Sequence, residues 1–191
     1  MKIKTYKLEE EERYVDFRSY LGGVYFGDPC YVVPGWDDGY DLWEKLCEKM
    51  FVPVTRKHPK TGEETTSREE PFDARNNIRV VETDHEKFYM WNTAYGDGDF
   101  PITFDDRLVE RVGVDAGCLS IVPMSLINKW GKERDAKDLG YVYEGPGLAG
   151  FLAVEEGDMK WNKWDILTGD NADEDDEDEG YWSGQDEEMY G

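Results

Sequence analysis

Three short segments each set an aspartate beside a residue that dictates backbone geometry: Gly27-Asp28-Pro29, Tyr95-Gly96-Asp97-Gly98 and Val114-Asp115-Ala116-Gly117. Brought together by a sheet, Asp28, Asp97, Asp99 and Asp115, with Tyr95 at their edge, would form an acidic cluster. Such a cluster can bind a small ligand or a hard cation such as Ca²⁺ or Mg²⁺, or act as paired acid and base. Kept apart, each Asp serves only its own turn by bonding nearby amides, since Asp and Gly are the commonest turn formers. Asp97-Gly98-Asp99 opens like a calcium loop, but the next alternate position is Pro101, which has no side-chain oxygen, so no metal site is expected there. A thiol nucleophile would need Cys30 or Cys118 close to His85 or His58, with Asp115 to orient the base. Both cysteines stand in strand-like surroundings where a small buried residue is expected, which favours inert thiols. The histidines lack ligand spacing to any cysteine, so zinc is not indicated. No catalytic or nucleotide-binding signature stands out, and no cofactor is expected.

Charge is the strongest compositional feature. The chain of 191 residues carries 22 Lys and Arg against 44 Asp and Glu, a net charge of −22. Residues 169–191 hold 11 of the acids and no base, which leaves 22 bases against 33 acids, or −11, for the remainder. An acidic surface of that size opposes direct contact with nucleic acid or anionic membrane by Coulomb repulsion. A basic partner, a divalent cation or plain solubility each fit such a charge. Three cysteines, an odd set without CxxC spacing, and the lack of an apolar leader point to a reducing cytoplasm. No run approaches the ~18 apolar residues of a membrane span.

The acidic turns need a scaffold, and the patterning predicts an α+β fold, mostly antiparallel sheet with two short helices, over residues 1–168. Phe88-Tyr89-Met90-Trp91 is a run of strand formers, long enough for a strand buried on both faces in the middle of a sheet. A tight turn follows at residues 96–99, and Cys118-Leu119-Ser120-Ile121-Val122 forms the next strand, stopped by Pro123. Further strands are predicted at Val24-Tyr25-Phe26, Tyr31-Val32-Val33, Ile78-Arg79-Val80-Val81, Tyr141-Val142-Tyr143, Phe151-Leu152-Ala153-Val154, Met159-Lys160-Trp161 and Trp164-Asp165-Ile166-Leu167. Gly157-Asp158 is read as a hairpin turn between the strands it separates. Leu42, Trp43, Leu46, Cys47 and Met50 follow helical spacing, with Asp37 and Asp38 available as caps, and Met124, Leu126, Ile127 and Trp130 do the same. Residues 56–77, polar and poor in aliphatics, are expected to form a mobile loop. Residues 169–191 have too little apolar content to offset ordering entropy and are expected to be a disordered acidic tail. Tyr181, Trp182 and Tyr190 sit in that tail without a core to join, and either suit docking into a basic, apolar groove or are incidental to a bland acidic tail.

The GDP segment, the YGDG turn with Pro101 close behind, and Gly113-Val114-Asp115-Ala116-Gly117 together resemble a domain family of bacteria and their phages that carries GVDAG and YGDG-x-x-P motifs. In that family the GVDAG segment precedes the GDG turn, whereas here it follows. The resemblance implies a β-rich intracellular domain without an assigned activity, and it transfers no catalytic residue. Three function classes remain. The leading one is a non-enzymatic acidic accessory or inhibitor protein that binds a basic, nucleic-acid-handling host protein. The alternatives are a small-ligand or divalent-cation-dependent enzyme or binder using the Gly/Asp turns, and a phage structural or assembly subunit.

Overall fold

The computed structural model describes residues 2–50, 52–69 and 75–169. In chain order it begins with strands β1 (Lys4–Lys7), β2 (Tyr14–Asp16) and β3 (Val24–Gly27), then helix α1 (Leu42–Met50). The hairpin β4 (Val52–Lys57) and β5 (Glu64–Glu69) follows, then β6 (Arg79–Glu82), β7 (Lys87–Asn92), β8 (Gly98–Phe104), β9 (Arg107–Val114) and β10 (Cys118–Pro123). Helices α2 (Met124–Lys129) and α3 (Glu133–Leu139) precede β11 (Tyr141–Tyr143), β12 (Ala149–Glu155), β13 (Asp158–Trp161) and β14 (Trp164–Ile166).

The strands form two antiparallel six-stranded sheets, ordered β1-β6-β7-β10-β3-β11 and β2-β12-β13-β14-β8-β9, with β4-β5 as a separate pair. Alternation along each strand sends one set of side chains to each face, and in the first sheet both faces are buried. Val24, Phe26, Val80, Trp91, Leu119 and Ile121 meet Phe100, Ile102, Val112, Leu152, Trp161 and Trp164 of the second sheet. The opposite face, bearing Tyr25, Val81, Phe88, Met90, Cys118 and Val122, is covered by Leu42, Leu46 and Met50 of α1 and by Leu126, Ile127 and Ala136 of α2 and α3. The molecule is thus a β-sandwich with a helical layer on one side. Among the described residues no helix is long and apolar enough to cross a membrane.

The predominance of antiparallel sheet agrees with the patterning, and β7 lies inside its sheet, pairing with β6 and β10. Several elements differ. Residues 88–123 are not one local pair of strands: β7 and β10 pair in the first sheet, while β8 and β9 between them form a long hairpin in the second. Pro101 sits within β8 opposite Arg111, beside an edge strand. Tyr31-Val32-Val33 is not a strand. With Pro29 at its first position the chain makes a 3₁₀ turn over Pro29–Tyr31, and the Val32 and Val33 amides both donate to the Pro29 carbonyl (3.2 and 2.9 Å). Asp38 does not cap α1; its carboxylate accepts from the Gly35 amide and pairs with Lys132 at 2.8 Å. The predicted loop at 56–77 contains much of the β4–β5 hairpin, where alternating polar residues pair across the ladder and the Thr55 and Thr66 hydroxyls meet at 2.9 Å. The β12–β13 turn is Glu156-Gly157 rather than Gly157-Asp158, both residues having positive φ (49° and 90°). β1 and α3 carry no signal strong enough to predict them, being short and largely polar.

Candidate functional site

The three Gly/Asp turns meet. Asp28 is fully buried at the end of β3. Its Oδ2 accepts the consecutive amides of Asp115 and Ala116, each at 2.7 Å, and its Oδ1 accepts the Cys30 amide at 2.8 Å. Two adjacent amides pointing at one oxygen form an anion-binding nest, and this chain fills it with its own carboxylate. The bonds are charge-assisted and offset the cost of burying the ion. Asp28 therefore fixes the β9–β10 turn instead of facing a ligand.

The β7–β8 turn is tied to the same place. Thr93 donates its amide to the Gly117 carbonyl (3.0 Å) and its hydroxyl to the Gly96 carbonyl (2.5 Å), clamping the two turns together. Gly117 has φ of +66°, and a Cβ there would stand 3.5 Å from Gly96 Cα, so this position needs the left-handed backbone and lies against the neighbouring turn. Asp115 is aimed by Tyr31, whose hydroxyl donates to its Oδ2 at 2.5 Å. Burial, and then that bond, push the Tyr31 phenol well above the ordinary tyrosine range.

Helix α1 completes the arrangement. Leu42, Leu46 and Met50 point into the core, which turns the adjoining stripe of Trp43 and Cys47 toward the two turns. Between them lies a groove of about 470 Å³ lined by Trp43, Cys47, Met50, Asn92, Gly96, Asp97, Asp115, Ala116 and Gly117. Asp97 and Asp115 are exposed at its edge. Asn92 ends β7 on the face shared with Phe88 and Met90 and is 8% exposed. Its carboxamide makes no hydrogen bond to any described residue.

Of the residues singled out from sequence, Asp28, Asp97 and Asp115 are brought together, though Asp28 is turned inward. Asp99 is drawn away along β8, where Arg111 donates to its carboxylate at 3.1 Å. Tyr95 is exposed and outside the groove lining. Tyr181, Trp182 and Tyr190 lie outside the described residues. His58 sits in the β4–β5 turn, where its Nδ1 accepts the Lys60 and Thr61 amides, and His85 in the β6–β7 turn; neither lines the groove. Burial raises the thiols of Cys30, Cys47 and Cys118, and the charge of Asp28 adds to each, behind Glu44 at Cys47. All three stay protonated at neutral pH. Among the described residues no group of three or more His, Cys, Asp and Glu is placed to hold a metal. The contributions of Trp43 and Asn92 were missed. The available signal for Asn92 was a lone amide closing the apolar run Phe88-Tyr89-Met90-Trp91 in register with Phe88 and Met90. No family model, curated protein or solved structure matches this chain.

Proposed function

We propose that this chain is a non-enzymatic acidic accessory protein, of the bacterial or phage kind that its Gly/Asp motifs resemble, and that it binds a basic partner protein. One observation carries the reading: the groove where the turns meet offers the carboxylates of Asp97 and Asp115, and among the described residues no lysine, arginine or histidine lines it. The net charge of −22 adds a long-range field that speeds encounter with a basic surface and repels acidic ones. Protonated thiols withhold the nucleophile that a cysteine enzyme would use. A nucleic-acid-handling host protein has the complementary charge. A small-molecule binder is the second reading, favoured by a groove volume of about 470 Å³, within the range of small-ligand sites. The test is retention from bacterial lysate on the immobilised full chain at low and high ionic strength. A basic protein held at low salt and released at high salt is expected; no retained basic protein, or retention indifferent to salt, overturns the reading.

A further inference from the structure

Asn92 is the group in the groove that charge attraction leaves unexplained. The residue is 8% exposed, it opens into the groove, and its cross-strand neighbour is Cys118, a thiol that behaves as a small hydrophobe. With no hydrogen bond to a described residue, its carboxamide keeps its donors and acceptor turned to the groove, where a ligand can reach them. A carboxamide offers one acceptor and two donors, which complement the N–H and C=O of a peptide main chain. The rest of the groove supplies what a basic side chain needs. The Trp43 ring and Met50 form an apolar wall for an aliphatic stem and a π-face for a cation, and Asp97 and Asp115 stand at its edge. Asp115 is held ready by Tyr31 and by the Asp28 latch, so little order has to be gained on binding.

Resting on the basic-partner reading and deepening it, we infer that the groove seats a basic peptide segment of the partner. A lysine or arginine lies along Trp43 and Met50 with its cation at Asp97 and Asp115, and the adjoining peptide bond pairs with the Asn92 carboxamide.

Calorimetric titration of the full chain at low ionic strength tests this, with the capped tripeptides acetyl-Gly-Lys-Gly-amide and acetyl-Gly-Arg-Gly-amide as probes. Acetyl-Gly-Glu-Gly-amide and n-butylammonium serve as controls. The basic peptides are expected to bind and the acidic one not. Asp97→Asn is expected to weaken them roughly 3–10-fold, the scale of a partly exposed ion pair. Asn92→Leu is expected to weaken them roughly tenfold or more without lowering Tm, which separates lost recognition from lost folding. If neither basic peptide binds, or if both variants bind as tightly as the parent, the groove is not the seat, while a salt-sensitive partner from lysate would leave the basic-partner reading standing. Butylammonium binding as tightly as the peptides overturns the main-chain pairing. Failure of every basic probe together with failure of lysate retention removes both.

Discussion

The first sheet is buried on both sides, and its two faces are built differently. Toward the second sheet it packs large rings and branched aliphatics: Phe26 lies 5.1 Å from Trp164 and 6.1 Å from Trp161, and Tyr89 meets Phe17 edge-on at 5.8 Å. Toward the helices the same strands carry Tyr25, Cys118, Ser120 and Asn92, with Asp28 at the end of β3, and the Ser120 hydroxyl donates to the Gly27 carbonyl at 2.8 Å. The apolar face gains stability in proportion to buried area and is indifferent to direction. The helix-covered face spends some of that stability on directed polar contacts, and the groove lies at its edge. Non-directional apolar packing is concentrated in one layer and directed polar contacts in the other.

Substitutions can sharpen or break that contrast. The largest loss is expected on the apolar face, where Trp161→Ala should cost about 3–5 kcal/mol by chemical denaturation and leave peptide binding per folded molecule unchanged. Asp28→Ala should follow at about 3 kcal/mol, because two turn amides and the Cys30 amide lose their shared acceptor. Unlike the tryptophan change, it should also weaken binding by freeing the Asp115 turn. Asn92→Leu should be close to neutral, within about 1 kcal/mol, because the amide faces the groove and bonds no described residue; a clear fall in Tm would show that the amide supports the fold.

Alkaline pH should strike the helix-covered layer. Burial raises the phenols of Tyr25 and Tyr31 from the ordinary value of 10.0, and the thiols of Cys30 and Cys118 from 9.0. The unfolded chain therefore loses these protons first, so the stability they support is fully present below pH 9 and declines as pH rises beyond it. Each such group contributes a slope of up to about 1.4 kcal/mol per pH unit. Denaturation midpoints at pH 7 and pH 10 measure this, and Tyr25→Phe should reduce the decline. A decline unchanged in Tyr25→Phe would assign it elsewhere. The smallest effect belongs to the solvent side of the second sheet: Asp99→Ala removes an exposed pair with Arg111 and should change stability by less than about 1 kcal/mol.

Much of the scaffold was readable because local pattern and final burial coincide. Phe88-Tyr89-Met90-Trp91 is apolar throughout since both faces of β7 are covered, and Leu42, Leu46 and Met50 repeat at helical spacing since one side of α1 meets the sheet. Tyr31-Val32-Val33 misled because Val32 and Val33 are apolar for burial in the helix-side core, while Asp28 and Pro29 turn the chain just before them and break any strand. The β4–β5 hairpin was hidden because its strands expose polar side chains and show no buried face to read.

For the site, the sequence alone determined which residues hold turns and which bring charge: Gly and Asp types at residues 27–28, 96–99 and 113–117, and an acidic excess of −22. Local chemistry suffices for that, because turn preference and charge belong to individual residues. Only the tertiary structure decided that Asp28 faces inward onto the Asp115 and Ala116 amides, that Asp99 is diverted to Arg111, and that Trp43 and Asn92 join Asp97 and Asp115 around one groove. These partnerships cross as many as 88 positions of chain. They depend on strand register and helix placement, which are set by the packing of the whole sandwich and not by any stretch of it.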